Sequence, residues 1–202
     1  MSVSENSNAK LKILVPLIVV LFMVGAGLNA LRNVGNNQGY APTQPIPFSH
    51  KIHAGANNIP CMYCHSNVEK SKHATVPSMN VCMNCHSVVK PDSPYIKELK
   101  ELYNVKKEAF QWIKVNNLPD YVSFNHKRHV LKGVDCTACH GDVKKMAVVR
   151  QEKTLSMGFC LDCHRGVSTP DYLRHLVQEK ENLATGVPAG GIAPISCNTC
   201  HQ

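Results

Sequence analysis

Five times in 202 residues the chain repeats one pattern: cysteine, two residues, cysteine, histidine. The cysteine pairs are Cys61/Cys64, Cys82/Cys85, Cys136/Cys139, Cys160/Cys163 and Cys197/Cys200. Each is followed at once by a histidine: His65, His86, His140, His164 and His201. For a chain with ten Cys and eleven His, random placement would give about 0.03 copies. No cysteine is left over, so a disulfide framework is not the leading reading. The spacing fits one chemistry closely. Two thiols separated by two residues reach the two vinyl groups on one edge of a haem, and the next residue offers an imidazole nitrogen to the iron. The ten cysteines are therefore read as covalent haem attachments, and the five following histidines as proximal iron ligands.

Rival readings explain less. A zinc site uses four ligands and does not require histidine after every second cysteine. A redox dithiol needs only the C-x-x-C part.

Haem attachment also implies export. In bacteria these thioether bonds are made outside the cytoplasmic membrane, and the N-terminus supplies a means of crossing it. Ile13 to Leu31 is an uncharged run of 19 residues, about 28 Å as a helix and close to the thickness of a bilayer core. Lys10 and Lys12 precede it and favour a cytoplasmic N-terminus. Cleavage as a signal peptide fits less well, because Ala30 has Leu28 two positions before it instead of a small residue. Pro16 is expected in the first turn or two, where proline is tolerated. The expectation is a single-pass anchor in the bacterial cytoplasmic membrane, with the haem domain on the periplasmic side.

The formal charge of +8 does not indicate nucleic acid. Each oxidised haem, with two propionates and a ferric core, contributes −1, so five leave about +3. Lys and Arg are scattered in ones and twos, without the clusters interleaved with aromatics that a nucleic-acid surface shows. With 44% hydrophobic and 18% charged residues, a disordered polyelectrolyte is excluded as well.

An internal repeat organises the rest. Phe48-Ser49-His50-Lys51-Ile52-His53 precedes the first attachment motif, and Phe124-Asn125-His126-Lys127-Arg128-His129 precedes the third. Both read F-x-H-K-x-H and are followed by seven or six residues and then C-x-x-C-H. A second motif follows each after 16 or 19 residues. The expected division is a cytoplasmic N-terminus (1–12), an anchor (13–31), a linker (32–47), a two-haem module (48–90), a helical spacer (91–123), a second two-haem module (124–166) and a C-terminal segment with the fifth haem (167–202). In the spacer, Ile96, Leu99, Leu102 and Tyr103 predict a helix over 94–107, with Lys97/Glu101 paired on its other side. A short strand is expected over 110–115, a second helix over 171–182, and a Gly/Pro-rich loop over 186–194. With about 34 residues per haem beyond residue 32, loops and short helices around the macrocycles are the expected fold.

The doublets His50/His53 and His126/His129 supply distal ligands. Two histidines three apart share one side of a helical turn and cannot hold one iron from opposite faces. Each can serve a different iron. Five irons need five distal ligands and the doublets provide four, which leaves Met79, Met146, Met157, His73 and His175 as candidates for the fifth. Met79 and Met157 each lie three residues before a second-in-module motif.

This layout resembles the small multihaem cytochromes of the c7/c3 type, and more closely the membrane-anchored pentahaem cytochrome subunit of alternative complex III, a bacterial quinol-oxidising respiratory complex. The resemblance rests on the anchor, on Phe48 to His65, Val81 to His86, Trp112, Leu118-Pro119-Asp120, Phe124 to His140, Gly141, Met146, and Met157 through Arg165. It implies that His50 serves the first haem, that His126 serves the third, and that Met157 and Met146 are favoured as the fifth distal ligand. It further implies electron relay from quinol oxidation toward a periplasmic cytochrome or a haem–copper oxidase. The implied partners are an iron–sulfur subunit related to molybdopterin oxidoreductases, quinol-binding membrane subunits and a monohaem cytochrome c. The chain itself is then an electron carrier and not an enzyme. The alternatives are a quinol dehydrogenase cytochrome of the NapC/NrfH type feeding a periplasmic reductase, and a pentahaem nitrite reductase. The latter usually carries a C-x-x-C-K motif that this chain lacks.

Overall fold

In the computed structural model, residues 3–106, 109–177 and 187–201 are described. The chain separates into two units, Met1–Asn36 and Asn37–Gln202.

The first unit is one helix, α1, Val3–Asn33. Its apolar stretch Lys10–Leu31 has a mean hydropathy of 2.5, and none of it is buried against protein. Among the described residues it is the one helix long and apolar enough to cross a membrane. The helix begins ten residues before the uncharged run, so Pro16 falls in its fourth turn and not the first. The helix runs through it, as apolar membrane-length helices tolerate.

The second unit is built from short helices and irregular segments, and its described residues contain no extended strand. Every attachment motif forms a turn of α-helix: α2 (Cys61–Cys64), within α3 (Met79–His86), α6 (Cys136–His140), within α7 (Met157–His164) and α8 (Cys197–Cys200). The residue before each of these helices is extended: Pro60, Ser78, Asp135, Ser156 and Ser196. Two of them cap their helix, with Asp135 Oδ1 accepting from Thr137 N at 2.8 Å and Ser156 Oγ from Phe159 N at 3.4 Å.

The duplicated doublets fold differently for a countable reason. His126 and His129 lie in α5 (His126–Leu131), whereas His50 caps and His53 lies in a π-helical turn, Lys51–Ala56. The first module has one more residue between doublet and motif. A turn closed from Asn57 N to Ile52 O (3.0 Å) absorbs an extra residue of this kind.

In the spacer, α4 (Pro94–Glu101) continues into a π-helical turn, Leu102–Lys106. Lys107 lies outside the described residues. The expected apolar face turns inward, with Leu99 only 2% exposed. Lys97 and Glu101 do not pair with each other: Lys97 lies 4.0 Å from Asp92, and Glu101 pairs with Lys106 at 3.3 Å. The strand expected over 110–115 does not form. The Gln44 side chain takes the place of a strand partner, donating to Ile113 O and accepting from Ile113 N, both at 2.9 Å. Of the helix expected over 171–182, Asp171–Leu176 forms a 3₁₀ stretch, and residues 178–182 lie outside the described residues.

Packing is sparse. The buried apolar side chains among the described residues are Ala54, Val68, Leu99, Met146, Leu173 and Val187. One polar residue is completely buried, Gln151. Its backbone pairs with the start of the unit (Gly39 N to Gln151 O, 2.7 Å; Gln151 N to Tyr40 O, 3.0 Å). Its side chain accepts from Asn117 N at 2.9 Å and donates to Lys153 O at 2.9 Å. Through backbone and side chain together, Gln151 thus ties its own segment to two others, around residues 39–40 and Asn117.

Candidate haem-attachment and iron-ligand sites

A helical turn puts residues i and i+3 on one side, so each motif presents both thiols together with the histidine next in line. Burial pushes the Cys139 thiol up to about 11, helped by the neighbouring Cys160, Cys163 and Cys136. Burial likewise raises Cys64, Cys82, Cys136, Cys160 and Cys163. A reactive dithiol needs the opposite, a thiol whose pKa is lowered by positive surroundings. Among the described residues no three His, Cys, Asp or Glu converge as a metal-ion site would require.

The histidines are organised as pairs. The His53 ring lies 6.0 Å from that of His86, His126 lies 6.4 Å from His140, and His129 lies 6.1 Å from His164, centroid to centroid. Metal–imidazole bonds of about 2.0–2.1 Å, plus about 1.2 Å from nitrogen to ring centre, would separate two rings across one metal by about 6.4–6.6 Å. The His126–His140 separation meets the lower edge of that range and the other two fall slightly short of it. His50 has His65, His53 and His140 as charged-state neighbours, and its Nδ1 is buried without a protein partner. Each doublet histidine is thus placed near a motif histidine of its own module.

Ring orientation is fixed by carbonyls. A carbonyl can only accept, so an Nδ1 bonded to one carries the proton and leaves Nε2 free to bind metal. Nδ1 meets Thr75 O from His65 (2.7 Å), Val89 O from His86 (3.1 Å), Pro194 O from His164 (2.7 Å) and Tyr121 O from His201 (3.0 Å). The doublets use the same device: His53 on Ser49 O (2.8 Å), His126 on Lys72 O (3.0 Å) and His129 on Asn125 O (2.9 Å). Burial lowers the His50 pKa to about 4 and lowers those of His129 and His140, so these rings are neutral at pH 7, as a ligand must be. The donor set, the ring separations and the thin apolar core together fit haem bound at these positions.

The phenylalanine of each repeat has a role that the histidine spacing alone did not suggest. Phe48 stacks on His53 at 4.3 Å and meets His50 edge-on at 4.9 Å. Phe124 lies 4.5 Å from His129 and meets His126 edge-on at 4.7 Å. It holds both imidazoles of a doublet at once. Its recurrence in F-x-H-K-x-H was the available signal. The carbonyls of Thr75, Val89, Pro194 and Tyr121 have no such signal, because any residue supplies a carbonyl.

The candidates for the fifth distal ligand are placed separately. Met157 opens α7 at 65% exposure, on the same helical side as Cys160 and His164. Met146 is 7% exposed, and its carbonyl accepts from Lys51 N at 2.9 Å. His73 and His175 are exposed and Met79 is half-buried.

Thiol pairs on helical turns, each followed by an imidazole and four of these imidazoles oriented by a backbone carbonyl, fit a protein that carries haem covalently. Comparison with known proteins agrees. Residues 56–202 match the family described as outer membrane cytochrome MtrC/MtrF-like, domains II/IV. Over 158 residues the chain is 31% identical to the menaquinone reductase, multiheme cytochrome c subunit, of Nitratidesulfovibrio vulgaris Hildenborough, an alignment covering 78% of this chain and 67% of that protein. The chain belongs to the multihaem c-type cytochromes, haem proteins of electron transport.

Proposed function

We propose that this chain is a pentahaem cytochrome c anchored by α1 in the bacterial cytoplasmic membrane, with its haem unit on the periplasmic side. It relays electrons from quinol oxidation to a periplasmic cytochrome or terminal oxidase, as a subunit of an alternative complex III. The observation that carries the reading is the set of doublet-to-motif histidine pairs behind one apolar helix of membrane length. Each bound haem supplies a one-electron iron couple.

The residues divide the work. Cys61, Cys64, Cys82, Cys85, Cys136, Cys139, Cys160, Cys163, Cys197 and Cys200 hold the macrocycles. His65, His86, His140, His164 and His201 are proximal ligands. His50, His53, His126 and His129 are the distal ligands of the first, second, third and fourth sites, and Met157, then Met146, is the choice for the fifth. With one imidazole from a doublet and one from a motif, four of the irons would have no open position for a substrate, which supports a carrier and not a catalyst. Quinol-binding membrane subunits, an iron–sulfur subunit of the molybdopterin-oxidoreductase type and a monohaem cytochrome are the partners of this reading.

The relative's name favours a second reading, in which the same relay delivers electrons to menaquinone. A redox titration of the complex purified in mild detergent separates the two. Five covalent haems, the named subunits and potentials above that of the quinol couple support the first reading. Potentials below the menaquinone couple support the second. Four or fewer haems per chain overturn both.

A further inference from the structure

The two doublets are built alike. Phe48 lies 4.3 Å from His53 at 23° and 4.9 Å from His50 at 87°. Phe124 lies 4.5 Å from His129 at 30° and 4.7 Å from His126 at 89°. Each F-x-H-K-x-H segment is thus one unit of three rings. The pairs that these units make with motif histidines are not alike. His53 crosses His86 at 62°, whereas His126 is nearly parallel to His140 at 5° and His129 meets His164 at 34°. With the same unit in both halves, the difference arises from how each unit is seated.

The seats differ in kind. Behind Phe48 stands Trp112, edge-on at 6.4 Å, and behind Trp112 stands Phe110 at 5.6 Å. Among the described residues, Phe124 meets no ring other than its own two histidines. Backbone seats its unit instead, through Ser123 N to Cys200 O at 2.7 Å and His126 N to Lys72 O at 3.2 Å. The residue after Trp112 is clamped by Gln44, whose amide donates to Ile113 O and accepts from Ile113 N, both at 2.9 Å. Ile113 is 44% exposed, so water can satisfy its backbone, and the clamp is not needed to pair a buried group. Gln44 is joined to Phe48 by Pro45-Ile46-Pro47, in which two proline rings fix φ and leave the arm little freedom. Clamp, arm and tryptophan together close a short circuit of contacts that ends on Phe48.

We infer that Trp112 is a positioning residue for the first doublet: with the Gln44–Ile113 clamp it seats Phe48, and through Phe48 it sets the ring planes of His50 and His53 but not those of His126 and His129. The inference rests on the doublets being iron ligands, as the proposed function has it. Its consequence is electronic. Parallel imidazoles on one ferric iron split its two π-type d orbitals, whereas crossed imidazoles leave them close in energy and raise the largest g value of the low-spin spectrum. The spacer then gives the irons of the first module an environment of their own, although both modules offer the same ligands.

The test uses the full-length, haem-loaded protein and its low-temperature electron paramagnetic resonance spectrum, with a pyridine haemochrome count on each preparation. His50→Ala, His53→Ala, His126→Ala and His129→Ala assign the low-spin signals, each by the one it removes. In Trp112→Leu and Gln44→Leu the haem count should equal that of the parent, the signals assigned to His50 and His53 should shift, and those assigned to His126 and His129 should stay in place. Trp112→Phe, which keeps an aromatic edge against Phe48, should shift them less than Trp112→Leu does. Gln44→Leu retains every ring of the cluster, so it decides the matter if Trp112→Leu does not fold. Unshifted His50 and His53 signals, or equal shifts in all four, overturn the positioning role while leaving the proposed function standing. If no histidine variant removes a low-spin signal, the ligand assignment itself falls, and the positioning role with it.

Discussion

Gly55 is the point where the first doublet meets the segment that follows the third motif, and replacing it with alanine tests that contact directly. A Cβ built there lies within 2.5 Å of Lys144 O, a backbone atom that cannot swing aside. Gly55 sits inside the Lys51–Ala56 turn, so its backbone conformation does not itself require glycine. Removing glycine's freedom in the unfolded chain would by itself stabilise the fold by about 0.4–1 kcal/mol. Opening the contact costs about 1–3 kcal/mol, as overpacking generally does. The steric effect wins, and Gly55→Ala should lower stability by about 1–2 kcal/mol. For a unit of this size that is about 2–8 °C in Tm. The control is Gly158→Ala in α7, where the nearest heavy atom to a new Cβ is Ser156 Oγ at 3.9 Å, and there the entropic gain should appear unopposed. Because His50 caps the turn and His53 lies within it, Gly55→Ala should also raise the high-spin fraction of the haem-loaded protein without changing its haem count. The assays are thermal unfolding of the haem-loaded protein and its electron paramagnetic resonance spectrum. Equal stabilities for the parent and Gly55→Ala would refute the reasoning, since the Lys51–Ala56 turn would then not press on Lys144.

Alanine at His50, His53, His126 or His129 should leave all covalent haems in place and convert one iron per variant to high spin; spectra unchanged in all four variants would return these residues to packing roles. Gln151→Leu keeps the volume but strips Asn117 N and Lys153 O of their partner, at a cost of at least about 1–3 kcal/mol, measurable as a lower denaturant midpoint at constant slope. Met157→His should lower one reduction potential and abolish a sulfur-to-iron band in the near infrared, because imidazole stabilises the ferric state more than a thioether does. If that band survives in Met157→His but disappears in Met146→His, the assignment passes to Met146.

The features of the sequence that carry periodicity or repetition were legible, and those that depend on distant backbone were not. The motif spacing singled out five segments that each form a turn of helix, and the apolar run marked α1. The repeat identified both doublets but did not show that His53 and His129 lie against His86 and His164. Those pairs depend on how 16 and 19 intervening residues return, and their path is set by carbonyls such as Thr75 O. The strand expected over 110–115 shows the limit of pattern reading: its alternating residues suit a sheet, but the described residues offer it no second strand, and Gln44 serves in its place. The helix over 94–107 was legible because its inward stripe, centred on Leu99, is local. Gln151 was invisible for the opposite reason, since a glutamine becomes a hub only when remote segments, here those of Gly39–Tyr40 and Asn117, supply its partners.

The carbonyl bonds also explain why the segment beyond residue 166 is more than an appendage to the duplicated modules. His164, in the fourth site, is oriented by Pro194 O, on the approach to the fifth motif, and its own carbonyl accepts from Ile192 N. Gly166 allows this approach, because a Cβ there would meet Gly190 O and its φ of +82° already favours glycine. In return, His201 is oriented by Tyr121 O, and Cys200 O accepts from Ser123 N at 2.7 Å, just before the second doublet. The fourth site is thus unfinished until the chain has reached residue 194, and the fifth is held by the spacer that leads into His126. Four imidazoles come from a repeated phenylalanine-centred unit, while the fifth site lies outside the repeat and has no third doublet to draw on. On the proposed assignment a different distal ligand serves there, and the thioether of Met157 stands on the helix that carries Cys160.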